Sequence, residues 1–73
     1  MNEKELKVYK QNFFVACGET EGEEDTYMGE VVDKMYDILA SLHGQECLSD
    51  EQLDIYETHW DKWLNEYEQT HKA

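Results

Sequence analysis

Apolar residues recur along this chain at intervals of three and four, which is the period of a helix with one buried face. Three segments carry that pattern. In the first, from about Glu3 to Cys17, Leu6, Tyr9, Phe13 and Ala16 share a face, with Lys4, Lys7 and Lys10 exposed between them. Asn2 is placed to cap this helix, and Glu5 follows three residues later, the spacing of a capping box. A competing pattern sits at Phe13-Phe14-Val15, where aromatic and β-branched residues favour a strand. An α+β fold with a strand near residues 12–17 is therefore the alternative to an all-helical one.

The second helix is expected from about Thr26 to His43. Asp25 or Thr26 caps it, and Val31, Val32, Met35, Ile38, Leu39 and Leu42 form its apolar face. Gly44 is suited to the left-handed position that ends a helix. The third helix opens on Ser49, whose partner Gln52 completes an S-x-x-Q capping box, and Asp50 and Glu51 occupy its positive first turn. Leu53, Tyr56, Trp60, Leu64 and Tyr67 step by three and four along it, with Trp63 beside them, and it is expected to reach Gln69 or beyond. Between the first two helices, Gly18 to Asp25 holds two Gly and five acids and is expected to be a solvated loop. The chain has no Pro and no internal repeat. The expected fold is all-α, a single acidic domain over residues 1–73 built as a small three-helix bundle.

With 73 residues the chain suffices for one domain. A domain of this size buries only about 60% of its unfolded surface, so its core is marginal. Two Trp, five Tyr and two Phe supply large buried areas and argue against a disordered chain.

Charge changes the picture most. Eighteen Asp and Glu face six Lys and no Arg, for a formal net charge of −12. Residues 1–17 carry a net +1 and residues 18–73 a net −13. Nucleic-acid phosphates need Lys and Arg, so direct nucleic-acid binding is excluded, and anionic membrane surfaces are excluded by the same sign. A basic partner is the natural complement. The longest uninterrupted apolar run, Phe13 to Cys17, is five residues. It is far shorter than the roughly 20 residues of a membrane span, and shorter than a signal-peptide core of about 7–15. A soluble, cytoplasmic protein is expected. Cys17 and Cys47 make no disulfide framework and are expected to be free, small and buried.

The acids are ordered along the helices. Asp50, Asp54, Glu57 and Asp61 fall at i, i+4, i+7 and i+11, and Glu68 returns to the same stripe. Their spacing is roughly 5–6 Å, comparable with successive phosphates on a nucleic-acid strand that rises about 3.4 Å per nucleotide. Glu30, Asp33 and Asp37 make a second stripe on helix two. Like charges four apart cost a helix about 0.2–0.5 kcal/mol per pair, and only Lys34 and Lys62 lie nearby in sequence to relieve them. An ordinary solvated face is the competing reading.

Other chemistries fit less well. Glu19 and Glu30, eleven residues apart, have the outer spacing of an EF-hand loop, but the sixth position is Glu24 where glycine is required. His43, Cys47 and Cys17 are soft ligands without zinc-site spacing. His43 is better explained by a helix C-terminus, where positive charge is favoured, and His59 and His71 as exposed polar positions. No phosphate loop, nucleophile elbow or catalytic Cys-His pair is present, so no enzyme, cofactor or metal is expected. Tyr27, Tyr36, Tyr56, Trp60, Trp63 and Tyr67 should be mostly core. A residual aromatic strip on helix three would serve as an interface anchor and would make a homodimer the simplest assembly.

On the acidic loop from Glu19 to Asp25 and the carboxylate stripes of helices two and three, the chain resembles the small acidic phage-encoded proteins that disable host DNA-binding proteins, inhibitors of the bacterial nucleoid protein HU among them. The resemblance implies a DNA mimic in the host bacterial cytoplasm that binds a basic nucleic-acid-binding protein such as HU and blocks its DNA binding. It departs in the mildly basic segment from Lys4 to Lys10. The alternative expectation is a general interaction module that binds a host factor such as RNA polymerase through an exposed aromatic face. Asp50, Asp54, Glu57, Asp61 and Glu68 are the first candidate contacts, and Glu30, Asp33 and Asp37 the second.

Overall fold

The computed structural model describes residues 2–21 and 28–71, without the side chains of Met28 and His71. It contains three helices, α1 (Glu3–Glu19), α2 (Met28–Leu42) and α3 (Asp50–His71), and no strand among the described residues. The all-α three-helix bundle is therefore the observed architecture.

Helix α1 begins where its cap chemistry places it. Asn2 is extended, and its Oδ1 accepts from the Glu5 N–H at 2.9 Å. Burial along α1 falls on Phe13, Ala16, Cys17 and Thr20, the 3–4 spacing of a helix, and Val15 beside them is 45% exposed. The Phe13-Phe14-Val15 triplet is helical because successive residues turn by about 100°, which sends one ring into the core, one to its edge and the valine to solvent. The helix also runs two residues further than expected. Thr20 closes it, its hydroxyl donating to the carbonyls of Ala16 and Cys17 at 3.0 and 3.1 Å. Gly18 and Glu19 thus belong to the helix rather than to a loop, and residues 22–25 of the expected acidic loop, together with the expected cap and first residues of the second helix at 25–27, lie outside the described residues.

Helix α2 ends in a Schellman arrangement. The Gln45 N–H donates to Ala40 O at 2.8 Å and the Gly44 N–H to Ser41 O at 2.9 Å, with Gly44 at φ +73°. A Cβ at Gly44 would meet open space, so an alanine there is penalised only by the left-handed backbone. Gly44→Ala is expected to cost about 1 kcal/mol and lower the melting temperature by about 4–8 °C. Gly44→Asn should cost less, and equal melting of all three proteins would refute this account. At α3 the capping box forms in both directions, Gln52 Oε1 accepting from the Ser49 N–H at 2.9 Å and Ser49 Oγ from the Gln52 N–H at 3.2 Å.

The core joins Phe13, Ala16 and Cys17 of α1 to Met35, Leu39 and Ala40 of α2 and to Tyr56, Trp63 and Tyr67 of α3, with Leu48 of the connector packed against them. Aromatic contacts fix the order of the helices. Tyr9 stacks on Tyr56 at 5.1 Å, Phe13 meets Trp60 edge-on at 4.8 Å, and Phe14 meets Tyr67 at 5.6 Å, so α1 runs parallel to α3. His43, at the end of α2, lies against Tyr9 and Tyr56, and Tyr36 lies against Trp60, so α2 is antiparallel to both. Helix α1 is the spine. It packs closely on each of the others, whereas among the described residues no Cα of α2 comes within 8 Å of a Cα of α3. Large side chains bridge that gap.

Candidate acidic interface

All eight candidate carboxylates are exposed: Asp50, Asp54, Glu57, Asp61 and Glu68 on α3, and Glu30, Asp33 and Asp37 on α2. The α3 row stands about a third of a turn from the buried line of Tyr56, Trp63 and Tyr67, at about 100° per residue. Trp60, Leu53 and Leu64, all half-buried, fill the arc between core and row. Trp60 contacts Tyr36 of α2 at 5.4 Å between ring centres. Tyr36 precedes Asp37 and follows Asp33 by three residues. Its hydroxyl pKa is raised by burial first and by the Glu57 carboxylate second, which places Glu57 near Tyr36. The two carboxylate rows therefore border the same side of the bundle, a relation the linear chain does not reveal.

Lys34 stands exposed on α2 beside Asp33, but three other basic residues are gathered elsewhere. Lys7, Lys10 and Lys62, half of the six lysines, line an open groove of about 340 Å³ between α1 and α3, floored by Leu6 and Trp63. Lys10 is half-buried rather than exposed. Its Nζ bonds Glu66 at 3.0 Å and sits 5.7 Å from the centre of the Phe14 ring. Lys62 and Glu66 lie on the flank of α3 turned away from the acidic row. The cationic segment that interrupts the acidic pattern is thus matched partly inside the molecule, and the eight exposed carboxylates of α2 and α3 stand with Lys34 as the exposed lysine among them.

Other residues take roles that the sequence pattern did not indicate. His43 is not a cationic helix terminus. Its Nε2 lies 2.7 Å from the Tyr56 hydroxyl, Asn12 Nδ2 is 3.5 Å from both, and burial lowers the imidazole pKa. With the imidazole neutral and its proton on Nδ1, Nε2 accepts a hydrogen bond from the Tyr56 hydroxyl. Leu42, expected on the apolar face, is 44% exposed because the last turn of α2 directs His43 inward in its place. His59 is half-buried, stacked on Trp63 at 4.7 Å, with its Nδ1–H donating to Ile55 O at 2.9 Å. The Tyr67 hydroxyl donates to the Glu21 carboxylate and ties the end of α1 to α3.

Both cysteines are free, Cys17 buried and Cys47, against expectation, exposed in the connector. Burial, with the nearby Glu21 and Glu68 carboxylates adding to it, pushes the Cys17 thiol up to about 12, which leaves it protonated and unreactive. Among the described residues no three His, Cys, Asp or Glu side chains come together as metal ligands. Glu19, the first ligand of the calcium-loop reading, lies within α1, and Glu21 is engaged by Tyr67. No described helix is long and apolar enough to cross a membrane.

The titration behaviour follows from these contacts. An unfolded His binds its proton near pH 6.5, and folded His43 binds it only at lower pH. The unfolded chain therefore carries more protons in this range, and the stability His43 contributes above about pH 6.5 is lost as pH falls. Tyr56 is pushed up to about 12, by burial above all, and Tyr67 to about 12, first by its bond to Glu21. Their contribution is complete below about pH 10 and is lost as pH rises toward 12. The urea midpoint of the wild type is expected to fall between pH 7 and 5.5 more steeply than that of His43→Gln. Parallel pH dependences would show that His43 is not held neutral.

Comparison with protein-family models, with curated proteins and with solved structures finds no match for this chain.

Proposed function

We propose that the chain is a DNA-mimicking protein that binds a basic nucleic-acid-binding protein, of which a nucleoid protein such as HU is the type, and keeps it from DNA. The observation that carries this reading is the placement of eight exposed carboxylates in two rows on α2 and α3, on one side of a bundle that gathers three of its six lysines in another groove and keeps one, Lys34, on α2. Helices hold the carboxylates at fixed spacing, so a cationic surface meets preplaced charges and needs little ordering of the acidic partner on binding. Charge of one sign steers encounter, which makes association fast and strongly dependent on salt. The protein would act as a non-enzymatic inhibitor in the bacterial cytoplasm where such targets work.

The reading through an exposed aromatic face has less support, because Tyr56, Trp63 and Tyr67 are buried. This also removes most of the aromatic strip that would have anchored a homodimer, so the proposal is made for a single copy. Displacement of a labelled duplex from purified HU-type protein tests it. The protein should release the duplex at low salt and lose that power steeply as salt rises toward about 0.5 M, where charges are screened within a few ångströms. Failure to displace DNA from any cationic DNA-binding protein at low salt would refute the function.

A further inference from the structure

On the side of the bundle away from α1, α2 and α3 meet through side chains and not through close backbone approach. Helices that pack directly lie about 8–10 Å apart, and α1 holds α2 and α3 in this way. Helices α2 and α3 do not approach one another so closely, and Tyr36 and Trp60 meet across the space between them. Both rings are only half-buried, as are Leu53 and Leu64 beside them. Along the two banks stand Asp33 and Asp37 on α2 and Glu57 and Asp61 on α3, all exposed. An apolar floor between two acidic banks differs from a uniformly charged surface, because it selects for shape and hydrophobicity as well as charge.

We infer that the α2–α3 groove receives a cationic amphipathic helix of the partner protein, its apolar face on Tyr36 and Trp60 and its Lys and Arg flanks against the carboxylates of both banks. The inference rests on the proposed binding to a basic protein and specifies which element of that protein is held. The α3 bank from Asp50 to Asp61 spans about 16 Å at 1.5 Å per residue, which matches about three turns of an incoming helix. A helix directs an apolar stripe and two charged flanks at one groove, whereas a strand sends alternate side chains to opposite faces and would leave half of its charges unmatched. A fourth helix laid between two antiparallel ones completes a four-helix arrangement. A second copy of this chain is a poorer occupant, because two copies each of net charge −12 repel.

Two synthetic peptides test the groove: an 18-residue helix former with leucines on one face and lysines elsewhere, and a scrambled peptide of identical composition without an amphipathic face. Binding is measured by titration at about 0.15 and 0.5 M salt, with the Trp60 indole resonance as reporter. The amphipathic peptide is expected to shift that resonance and to bind at least about tenfold more tightly than the scrambled one at high salt. Leu64→Ser should remove most of that advantage. Asp33→Lys with Asp37→Lys, both at exposed positions, should weaken the two peptides alike without disturbing the fold. Equal binding of the two peptides, or binding that leaves Trp60 unmoved, overturns the groove. The charge-based function would still stand in that case if neutralising Asp54, Glu57 and Asp61 abolishes binding of both peptides. If neutralisation changes nothing, the proposed function falls as well. A concentration-dependent dimer that moves Trp60 without peptide would assign the groove to self-association and also overturn the inference.

Discussion

Phe13→Ala is expected to abolish the cooperative thermal transition or to lower its midpoint by about 15–30 °C. A 73-residue domain has about 4–11 kcal/mol of stability in total. Truncating a buried phenylalanine costs about 3–5 kcal/mol, the sum of lost transfer energy and the cavity left behind. Phe13 is fully buried, and its ring lies 4.8 Å from that of Trp60 and 5.9 Å from that of Trp63. Collapse around the gap is restricted, because α1 is the helix that α2 and α3 share and the site cannot close without separating one of them. Each kcal/mol moves the midpoint of a domain this size by about 4–8 °C. Val15→Ala, two residues away but 45% exposed, should stay within about 0.5 kcal/mol of wild type. Circular dichroism melts of the three proteins decide the matter. If Phe13→Ala melts within a few degrees of Val15→Ala, α1 is not the spine of the bundle.

Three helix ends were the most legible part of the fold, because each depends on chemistry within a few residues, whereas the closure of α1 at Thr20 was not foreseen. Asn2 with Glu5, Gly44 after Leu42, and Ser49 with Gln52 all do in the structure what their spacing implied. The apolar faces were legible from periodicity, but depth within a face was not. Trp63, off the main line of α3, is 3% exposed, whereas Trp60 on that line is half-buried, since depth depends on where α1 lies. Contacts between residues distant in sequence were not legible at all. Lys10 with Glu66 and Tyr67 with Glu21 are separated by 56 and 46 positions, and both convert a residue with a local surface role into a tie between α1 and α3. The same limit applied to the carboxylates. Each row was visible as a stripe on its own helix. That the rows border one side of the molecule depends on Tyr36 meeting Trp60, and hence on α2 being antiparallel to α3.

Replacing Asp54, Glu57 and Asp61 together by Asn, Gln and Asn is expected to weaken binding to a basic DNA-binding protein by about 5- to 150-fold while raising the melting temperature. The opposite signs arise from one cause. In the free protein these carboxylates stand three or four residues apart on an exposed face, and each like-charged pair of that kind costs about 0.2–0.5 kcal/mol. Neutralising them relieves that repulsion, and none of the three side chains is part of the core. In the complex each would face a Lys or Arg. Exposed ion pairs contribute about 0.2–1 kcal/mol apiece, so losing three removes about 1–3 kcal/mol of binding and flattens its salt dependence. An ordinary solvated face would show the gain in stability without the loss of binding. Isothermal titration at two salt concentrations, together with thermal melts of the same samples, separates the two cases. Replacing Glu3, Glu5 and Glu46, exposed acids outside both rows, by Gln removes the same formal charge. That variant should bind within about threefold of wild type, because net charge over the whole molecule sets the encounter rate more than the affinity of the docked state. Equal losses from the two triple variants would mean that the rows contribute nothing beyond the total charge of −12. The carboxylates would then act as a diffuse cloud, and the fixed spacing provided by α2 and α3 would have no part in recognition.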